Sequence, residues 1–283
     1  MAVGNITVTT AANFIPEIWS SEVKRAVEAN LTMAKLVKRD FEGDIRQKGD
    51  TVHVVDISNL SVGNKAASTT VSYETITEDK TSITIDKHKY AAFRLEDIVA
   101  AQSNTNLLTE YSNKVGYALA KQIDTDLLAL YVNLGQAVGA DNTDITDDVF
   151  LDAIELLDVA DAPETDRSAV FHANQKAAFL RVEKFVEYQS TGIGGSQNSP
   201  IIRGQFGELY GVRLFFTTNI TTAGSPAGDH NLVFHKEAFT LAMQKDIRIQ
   251  SQYDIDSLAN KVVGDVLYGV SEYRDTFGVV VKT

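Results

Sequence analysis

The clearest hydrophobic pattern in the chain is a stripe of apolar residues between positions 107 and 134. Its members recur at spacings of four, with a single spacing of three, and are Leu107, Tyr111, Val115, Leu119, Ile123, Leu127, Leu130 and Leu134. This period is that of one face of an α-helix. Ser103, Asn104 or Thr105 can cap its start, and Gly135 ends it. The pattern predicts a helix of about thirty residues, roughly 45 Å long, with one covered side.

A second pattern, between residues 50 and 90, alternates apolar and polar positions as β-strands do. Two β-rich runs, "DTVHVVDISNL" and "TITEDKTSITIDKHKY", flank the polar stretch "SVGNKAASTTVSYE". These residues predict one long two-stranded hairpin, which is only marginally stable alone in water. We therefore expect it to lie across another chain and to bury apolar side chains there, namely those of Val71, Tyr73, Ile76, Ile83 and Ile85. Replacing Ile83 and Ile85 by Asp is accordingly expected to leave the isolated subunit folded and to block assembly.

The segments on either side predict a mixture of helices and strands. A helix is expected within residues 14–39, where Pro16 lies near its start and Trp19 packs either in the core or on a neighbour. A polar break at residues 135–145 suits a domain boundary. After it come a helix in "DDVFLDAIELLDVAD", the strand "SAVFH", a helix capped by Asn174, and strands in "GELYGVRLFFTTNI" and "NLVFH". This alternation predicts an α/β layer.

The C-terminal part is expected to return to β structure. The segments "FTLAMQKDIRIQSQYD" and "YGVSEYRDTFGVVVK" have β character. The stretch between them, "SLANKVVGDVL", is predicted to be helical.

Composition and charge exclude several classes of protein. The chain has 283 residues, 44% of them hydrophobic, and no cysteine, so packing must stabilise it without disulfides or thiolate metal sites. It shows neither a signal peptide nor an apolar run of transmembrane length, so we expect a soluble protein made in a cytoplasm. A net charge of −12 repels nucleic-acid phosphates over the surface as a whole. The basic stretch at residues 37–50 is interleaved with acids, which favours a solvated helix end over nucleic-acid contact.

The familiar catalytic and metal-binding patterns are incomplete in this sequence. The loop "TGIGGSQNSP" lacks the Gly-Lys-Ser/Thr ending of a phosphate-binding loop, and "DNTDITDD" lacks the spacing of a calcium loop. There is no Gly-x-Ser-x-Gly elbow for a serine nucleophile. No i, i+4 pair for a metal exists among the histidines, which are His53, His88, His172, His230 and His235. We therefore predict no catalytic residue, no cofactor and no metal site.

The order of these parts resembles that of the major capsid (coat) proteins of tailed bacteriophages with the Hong Kong 97 (HK97) type of fold. The stretches that carry the resemblance are "FIPEIWSSEV", "LVKRDFEGDIRQKGDTVHV", "GELYGVRLFFTTNI" and "FHKEAFTLAMQKDIRIQ". The resemblance covers essentially the whole chain and implies an α+β fold. It divides the chain into an N-terminal arm and helix (1–45), an extended hairpin loop (46–93), a peripheral domain with the long spine helix (94–138 and 237–283) and an axial domain (139–236).

The resemblance also implies a structural role and a set of partners. The chain would assemble with itself, as hexamers and pentamers, into an icosahedral shell around double-stranded DNA, without sequence-specific binding. Phe14 and Trp19 of the arm would contact neighbouring subunits. A portal protein and a separate scaffolding protein are implied, the latter because the arm is too short to include one, and a decoration protein is left open. Assembly would take place in the host bacterial cytoplasm, and the location would be the virion, with no membrane.

Two alternatives remain beside the capsid protein. One is an encapsulin-type nanocompartment shell with the same fold, and the other is a monomeric α/β enzyme with the hairpin folded back on a compact particle. Lys65 lies at the tip of the predicted hairpin, where solvation is favoured over the Lys–Asn crosslink that some relatives form. No crosslinking is predicted.

Overall fold

The structure is a computed structural model, and it describes residues 32–40, 51–57, 62–65, 67–68, 70–71, 73, 78–96, 107–182 and 207–283. Within these residues the helices are α1 (Met33–Leu36), α2 (Leu107–Leu128), α3 (Asp147–Val159) and α4 (Gln175–Arg181). The strands are β1 (Thr51–Ile57), β2 (Glu78–Thr84), β3 (Lys87–Glu96), β4 (Gln136–Gly139), β5 (Arg167–His172), β6 (Glu208–Leu209), β7 (Val212–Thr217), β8 (Thr222–Ala223), β9 (Gly228–His235), β10 (Phe239–Asp254), β11 (Ala259–Glu272) and β12 (Gly278–Lys282). In the described chain no helix has the length and hydropathy that a membrane span requires.

The long helix α2 confirms the strongest sequence pattern. It runs for 22 residues and continues as a 3-10 turn over Ala129–Asn133. The predicted stripe is its buried face, since Leu119, Ile123 and Leu127 are almost fully covered. Tyr111 departs from the prediction and is 40% exposed. The helix therefore forms one layer of a helix-on-sheet core.

The layer that covers α2 is a three-stranded antiparallel sheet in the order β10-β11-β3. The prediction of a helix in "SLANKVVGDVL" is wrong, because these residues lead into strand β11. In β11 the buried residues Val262, Val266 and Tyr268 follow one another at even spacings, as the period of a strand requires. Two valines in sequence also favour a strand over a helix.

The second large sheet has seven strands, of which some pair in parallel and others antiparallel. Its strand order is β4-β12-β9-β5-β7-β6, and β8 pairs with β9. Helix α3 packs on it, and Phe150 of this helix meets Phe171 of β5 and Phe179 of α4 at ring-centroid distances of 6.1 and 6.0 Å. The alternating helices and strands predicted for this region are confirmed in type and order.

The position of strand β12 corrects one predicted domain boundary. It lies between β4 and β9 in the seven-stranded sheet, pairing in parallel with the first and antiparallel with the second. The assignment of all of 237–283 to the peripheral domain is thus corrected for Gly278–Lys282, which belong to the seven-stranded sheet with strands of the predicted axial domain. The run "GVVVK" carries no information about which of two sheets it joins, because that depends on distant strands.

The hairpin of β1 and β2 is a separate two-stranded sheet. Its register runs from Thr51 opposite Thr84 to Ile57 opposite Glu78. The predicted hairpin is therefore present, but its second strand ends at Thr84. Strand β3 follows immediately and pairs with β11, so residues 87–93 are part of the three-stranded sheet and not of the predicted extended loop.

Candidate assembly surfaces

The base of the hairpin is held inside its own subunit. Ile83 is fully buried and Ile85 is 8% exposed. Both belong to a small cluster around Ala242 of β10, together with the half-buried side chains of Val52, Val54 and Leu267. The expectation that Ile83 and Ile85 bury against a neighbouring subunit is thus corrected. They lie two residues apart, on the same side of the chain, and that side faces the three-stranded sheet of the same molecule.

A glycine allows the hairpin to approach this sheet. Gly269 lies in β11, and a Cβ atom at this position would overlap the carbonyl oxygen of Thr84 and would lie 3.1 Å from the Cα atom of Ile85. Both contacts are with backbone, which cannot move aside as a flexible side chain can. The close approach of two backbones therefore requires glycine here.

The distal part of the hairpin, residues 62–73, is exposed where the structure describes it. Val62 is 98%, Val71 57% and Tyr73 93% exposed. Lys65 is exposed as well. Large apolar side chains gathered on one exposed segment are typical of a surface that contacts another protein. The intersubunit contacts of Val71 and Tyr73 stay a prediction.

Three other predicted contact residues lie outside the described residues. They are Ile76 of the hairpin and, in the N-terminal arm, Phe14 and Trp19.

Beyond the hairpin base, the face of the three-stranded sheet opposite α2 carries polar groups. On β11, Asp265 accepts hydrogen bonds from Nε and Nη2 of Arg248 at 2.7 and 2.9 Å, and its Oδ2 lies 3.1 Å from Nε2 of His88. The hydrogen bond from Arg248 is the main reason that the pKa of Asp265 is lowered. Tyr90, opposite Asp265 in the register, is 74% exposed. One carboxylate thus links all three strands beside an accessible aromatic ring.

The turn between β10 and β11 is a second exposed apolar surface. Ile255 is 76% and Leu258 61% exposed. Asp254 fixes the turn, since its carboxylate accepts from the Ser257 hydroxyl and pairs with Nζ of Lys261, each at 2.6 Å. The hydrogen bond from Lys261 is the largest cause that lowers the pKa of Asp254 to about 2. The two apolar side chains are therefore presented on an ordered turn and are candidates for contact with another subunit.

The end of the N-terminal arm is anchored within the subunit. Met33, Ala34 and Val37 are each 1% exposed. Lys38 forms a parallel bridge with Thr240 at the edge of β10, and its Nζ lies 3.2 Å from Glu237. This short segment extends the three-stranded sheet and covers part of its edge.

A buried carboxylate holds the same segment on the long helix. Asp124 of α2 is 4% exposed, and its Oδ1 accepts the backbone N–H of Met33 at 3.3 Å. Burial raises the pKa of Asp124 to about 6, against the opposing effect of hydrogen bonds from the backbone of Thr32 and Met33. The folded subunit therefore retains a proton on Asp124 between pH 4 and 6, where the unfolded chain has lost it.

Removing this charge is expected to change how stability depends on pH. Because the folded pKa is raised, the contribution of Asp124 is most favourable below about pH 4 and is lost as the pH rises through about 6. The free energy of unfolding of Asp124→Asn, relative to the unsubstituted chain, should thus increase by about 3 kcal/mol from pH 4 to pH 7. Urea unfolding followed by circular dichroism at both pH values measures it. A difference that does not vary with pH would contradict the assignment.

A buried arginine lines a cleft beside the seven-stranded sheet. The side chain of Arg167 is 4% exposed; it pairs with Asp158 at 2.7 Å and donates to the carbonyls of Ala162 and Pro163 at 2.6 and 2.9 Å. It lines a cleft of about 730 Å³. These bonds hold the loop between α3 and β5 in place, so the guanidinium has a structural role.

Asn231 plays a similar part at the other end of the sheet. This fully buried residue accepts the backbone N–H of His172 at 2.7 Å and donates to the Val281 carbonyl at 3.2 Å and to the Thr283 hydroxyl at 2.8 Å. It thus ties β9 to β5 and β12. Arg167 and Asn231 therefore each bond to groups of neighbouring segments and fix the seven-stranded sheet.

Comparison with solved structures identifies the fold. The structure is similar to that of Mycobacterium phage Che8, with 24% identity, a TM-score of 0.75, and coverage of 89% of this chain and 90% of that chain. It is similar to the capsid structure of the cyanophage P-SCSP1u (17% identity, TM-score 0.68, coverage 83% and 84%). A virus-like particle from Pyrococcus furiosus also matches (12%, TM-score 0.62, coverage 94% and 98%). A search of curated proteins finds no match. The α+β, HK97-like fold is thereby confirmed.

The fold places the chain in the class of proteins with the HK97-like architecture. The sequence of residues 65–281 then narrows this class, because it matches the family described as phage capsid protein. The chain belongs to the phage capsid protein family. It is a shell-forming major capsid protein, a structural component of the virion, and the family favours this function over the nanocompartment.

Local sequence patterns do not predict two of the contacts described above. The link of Arg248, Asp265 and His88 spans strands that are far apart in sequence, and a local pattern cannot pair them. The sequence pattern does not predict the burial of Asp124, because a single Asp in a helix ordinarily faces solvent. Its position one residue after Ile123, in a buried stripe, is the signal that could have indicated it.

Proposed function

We propose that this chain is the major capsid subunit of a tailed phage, and that hexamers and pentamers of it form an icosahedral shell around double-stranded DNA. The observation that carries the proposal is the division of the hairpin into a buried base and an exposed apolar tip. The base fixes the direction of the hairpin, and the tip offers Val71 and Tyr73 to a neighbouring subunit. Self-association then buries side chains that one subunit leaves in water.

Further partners are expected because the shell is filled with DNA after it has assembled. A portal through which DNA enters, and a scaffolding protein that sets the curvature, complete this function, and assembly takes place in the host bacterial cytoplasm. The net charge of −12 suits a container, because a lumen that binds DNA weakly lets it be packed and released.

Electron microscopy of the purified chain tests the proposal. Negative-stain images, with and without the scaffolding protein, should show closed shells or rings of five and six subunits. A uniform particle of about 31 kDa under all conditions would overturn it and return attention to the enzyme alternative.

The hairpin contact has its own test. The double variant Val71→Asp/Tyr73→Asp should retain the thermal stability of the isolated subunit and lose shell assembly, because both residues are exposed before assembly. Asn64→Asp/Thr70→Asp, also at exposed positions of this segment, is the control for added charge. Shells formed equally well by the first variant would show that the tip contacts no neighbour.

A further inference from the structure

The chain passes twice directly between the three-stranded and the seven-stranded sheet. The first crossing leads from β9 to β10 through the 3-10 turn Lys236–Ala238, and the second leads from β11 to β12 through residues 273–277. The two crossings are bonded to each other, because the carbonyl oxygen of Ala238 accepts the backbone N–H groups of Tyr273 and Arg274 at 2.8 and 3.3 Å. We call these two crossings the junction.

A buried histidine holds the first crossing. His235 is the last residue of β9 and is 6% exposed. Its Nδ1 atom accepts the backbone N–H of Glu237 at 3.2 Å, so the imidazole caps the start of the 3-10 turn. Because a backbone N–H group can only donate, Nδ1 must have a free lone pair. This geometry therefore requires the neutral ring, with its proton on Nε2.

The same ring packs on the second crossing. The ring centres of His235 and Phe277 are 5.7 Å apart, and the ring planes lie at 83° to each other. Phe277 is buried, and its ring also lies 5.1 Å from the guanidinium of Arg274. Arg274 and Asp275 are the charged residues of this crossing. His235 thus bonds to one crossing and contacts the other.

Charges of both signs surround His235. Lys236 and Glu237 lie on the first crossing, and Asp166 and Arg167 approach from the turn before β5 and from its first residue. The two acids favour the imidazolium form, and the two bases oppose it. Burial has the largest effect and lowers the pKa of His235 below its ordinary value of about 6.5. The site therefore favours the neutral ring that the hydrogen bond requires.

We infer that His235 is a pH-sensitive switch of the junction, in which the neutral imidazole holds the two crossings together and the imidazolium releases the first of them. A proton on Nδ1 removes the acceptor of the Glu237 N–H group and places two donors opposite each other. It also introduces a charge into a buried site. The 3-10 turn then loses its cap, and the two sheets lose one of the contacts that fix their relative position. This property belongs to the single subunit and does not depend on assembly.

Acid is expected to open the junction in a defined range of pH. Because the pKa of His235 is lowered in the closed junction, the open junction binds the proton more tightly. The contribution of the imidazole to the closed form is complete above about pH 6.5 and is lost as the pH falls below this value. One proton can change the equilibrium between open and closed forms by at most about tenfold for each pH unit.

Hydrogen exchange of the full chain, kept below the concentration of assembly, measures this opening. The amides of Glu237 and Tyr273 report on the two crossings, and their exchange rates at roughly pH 7.5 and 5.5 are corrected for the intrinsic effect of pH. In the unsubstituted chain their protection should fall by about threefold to tenfold between these pH values. In His235→Asn it should stay constant, because the Asn side-chain oxygen accepts the same N–H group and does not titrate. The control His53→Asn, at an exposed position of β1, should behave as the unsubstituted chain does.

Two results would overturn the inference. One is the same pH dependence of amide protection in the unsubstituted chain and in His235→Asn, which would show that another group opens the junction. The other comes from the unsubstituted chain alone and does not depend on the folding of a variant. Nitrogen NMR of the imidazole should show the proton of the neutral ring on Nε2. A neutral ring with its proton on Nδ1 would show that His235 does not accept the N–H group of Glu237.

Discussion

Replacing Ile83 by Asp is expected to unfold the subunit partly or completely, before any question of assembly arises. Ile83 is fully buried beside Ala242, so the substitution places a carboxylate in an apolar cluster without a partner. A buried unpaired charge of this kind costs more than about 4 kcal/mol, a large part of the roughly 5–15 kcal/mol that stabilises a typical domain. The midpoint of urea unfolding, followed by circular dichroism at pH 7, measures the effect.

The neighbouring residue provides a matched control. Ser82 precedes Ile83 on the same strand, points to the other side and is exposed near His53. Ser82→Asp adds the same charge there and should leave the unfolding midpoint almost unchanged. If Ile83→Asp instead kept the stability of the subunit and only prevented shells, the hairpin base would belong to the interface between subunits, as the sequence alone had suggested.

Replacing Gly269 by Ala is the second change with a large expected effect. The new methyl group would overlap the carbonyl oxygen of Thr84, and one of the two backbones must then move. We expect a loss of about 3 kcal/mol in the free energy of unfolding, at the upper end of what an added methylene costs in a packed site. The hairpin base should also become accessible, which amide hydrogen exchange of residues 81–85 would report as faster exchange.

Gly207→Ala is the control for this prediction. A Cβ at Gly207 meets nothing within 4 Å, so its effect should stay within about 0.5 kcal/mol. Equal stability of the two alanine variants would mean that the hairpin and β11 are further apart than the structure places them.

The long helix and the hairpin could be predicted because each has a strong local period. The stripe from Val115 to Leu127 has the spacing of a helix over several turns, and the hairpin strands alternate on both sides of a polar segment. Such patterns need no knowledge of distant residues. The similarity of whole stretches to known capsid proteins then supplied the fold and the function, which periodicity alone could not.

The predictions from sequence are wrong where the conformation of a short segment depends on the strands that pair with it. "SLANKVVGDVL" was predicted as a helix, yet pairing with β10 and β3 makes it the central strand of a sheet. The assignments of Ile83 and of β12 failed for the same reason, since an apolar strand fits either of two surfaces until its neighbour is known.

The position of β12 has a consequence for the timing of biosynthesis. This strand lies inside the seven-stranded sheet, between β4 and β9, although it is made after both of them. During translation the sheet therefore waits with an open gap until residues 278–282 have left the ribosome. A chain that has not been synthesised this far leaves β4 and β9 without the strand that joins them, so the seven-stranded sheet is completed late in folding.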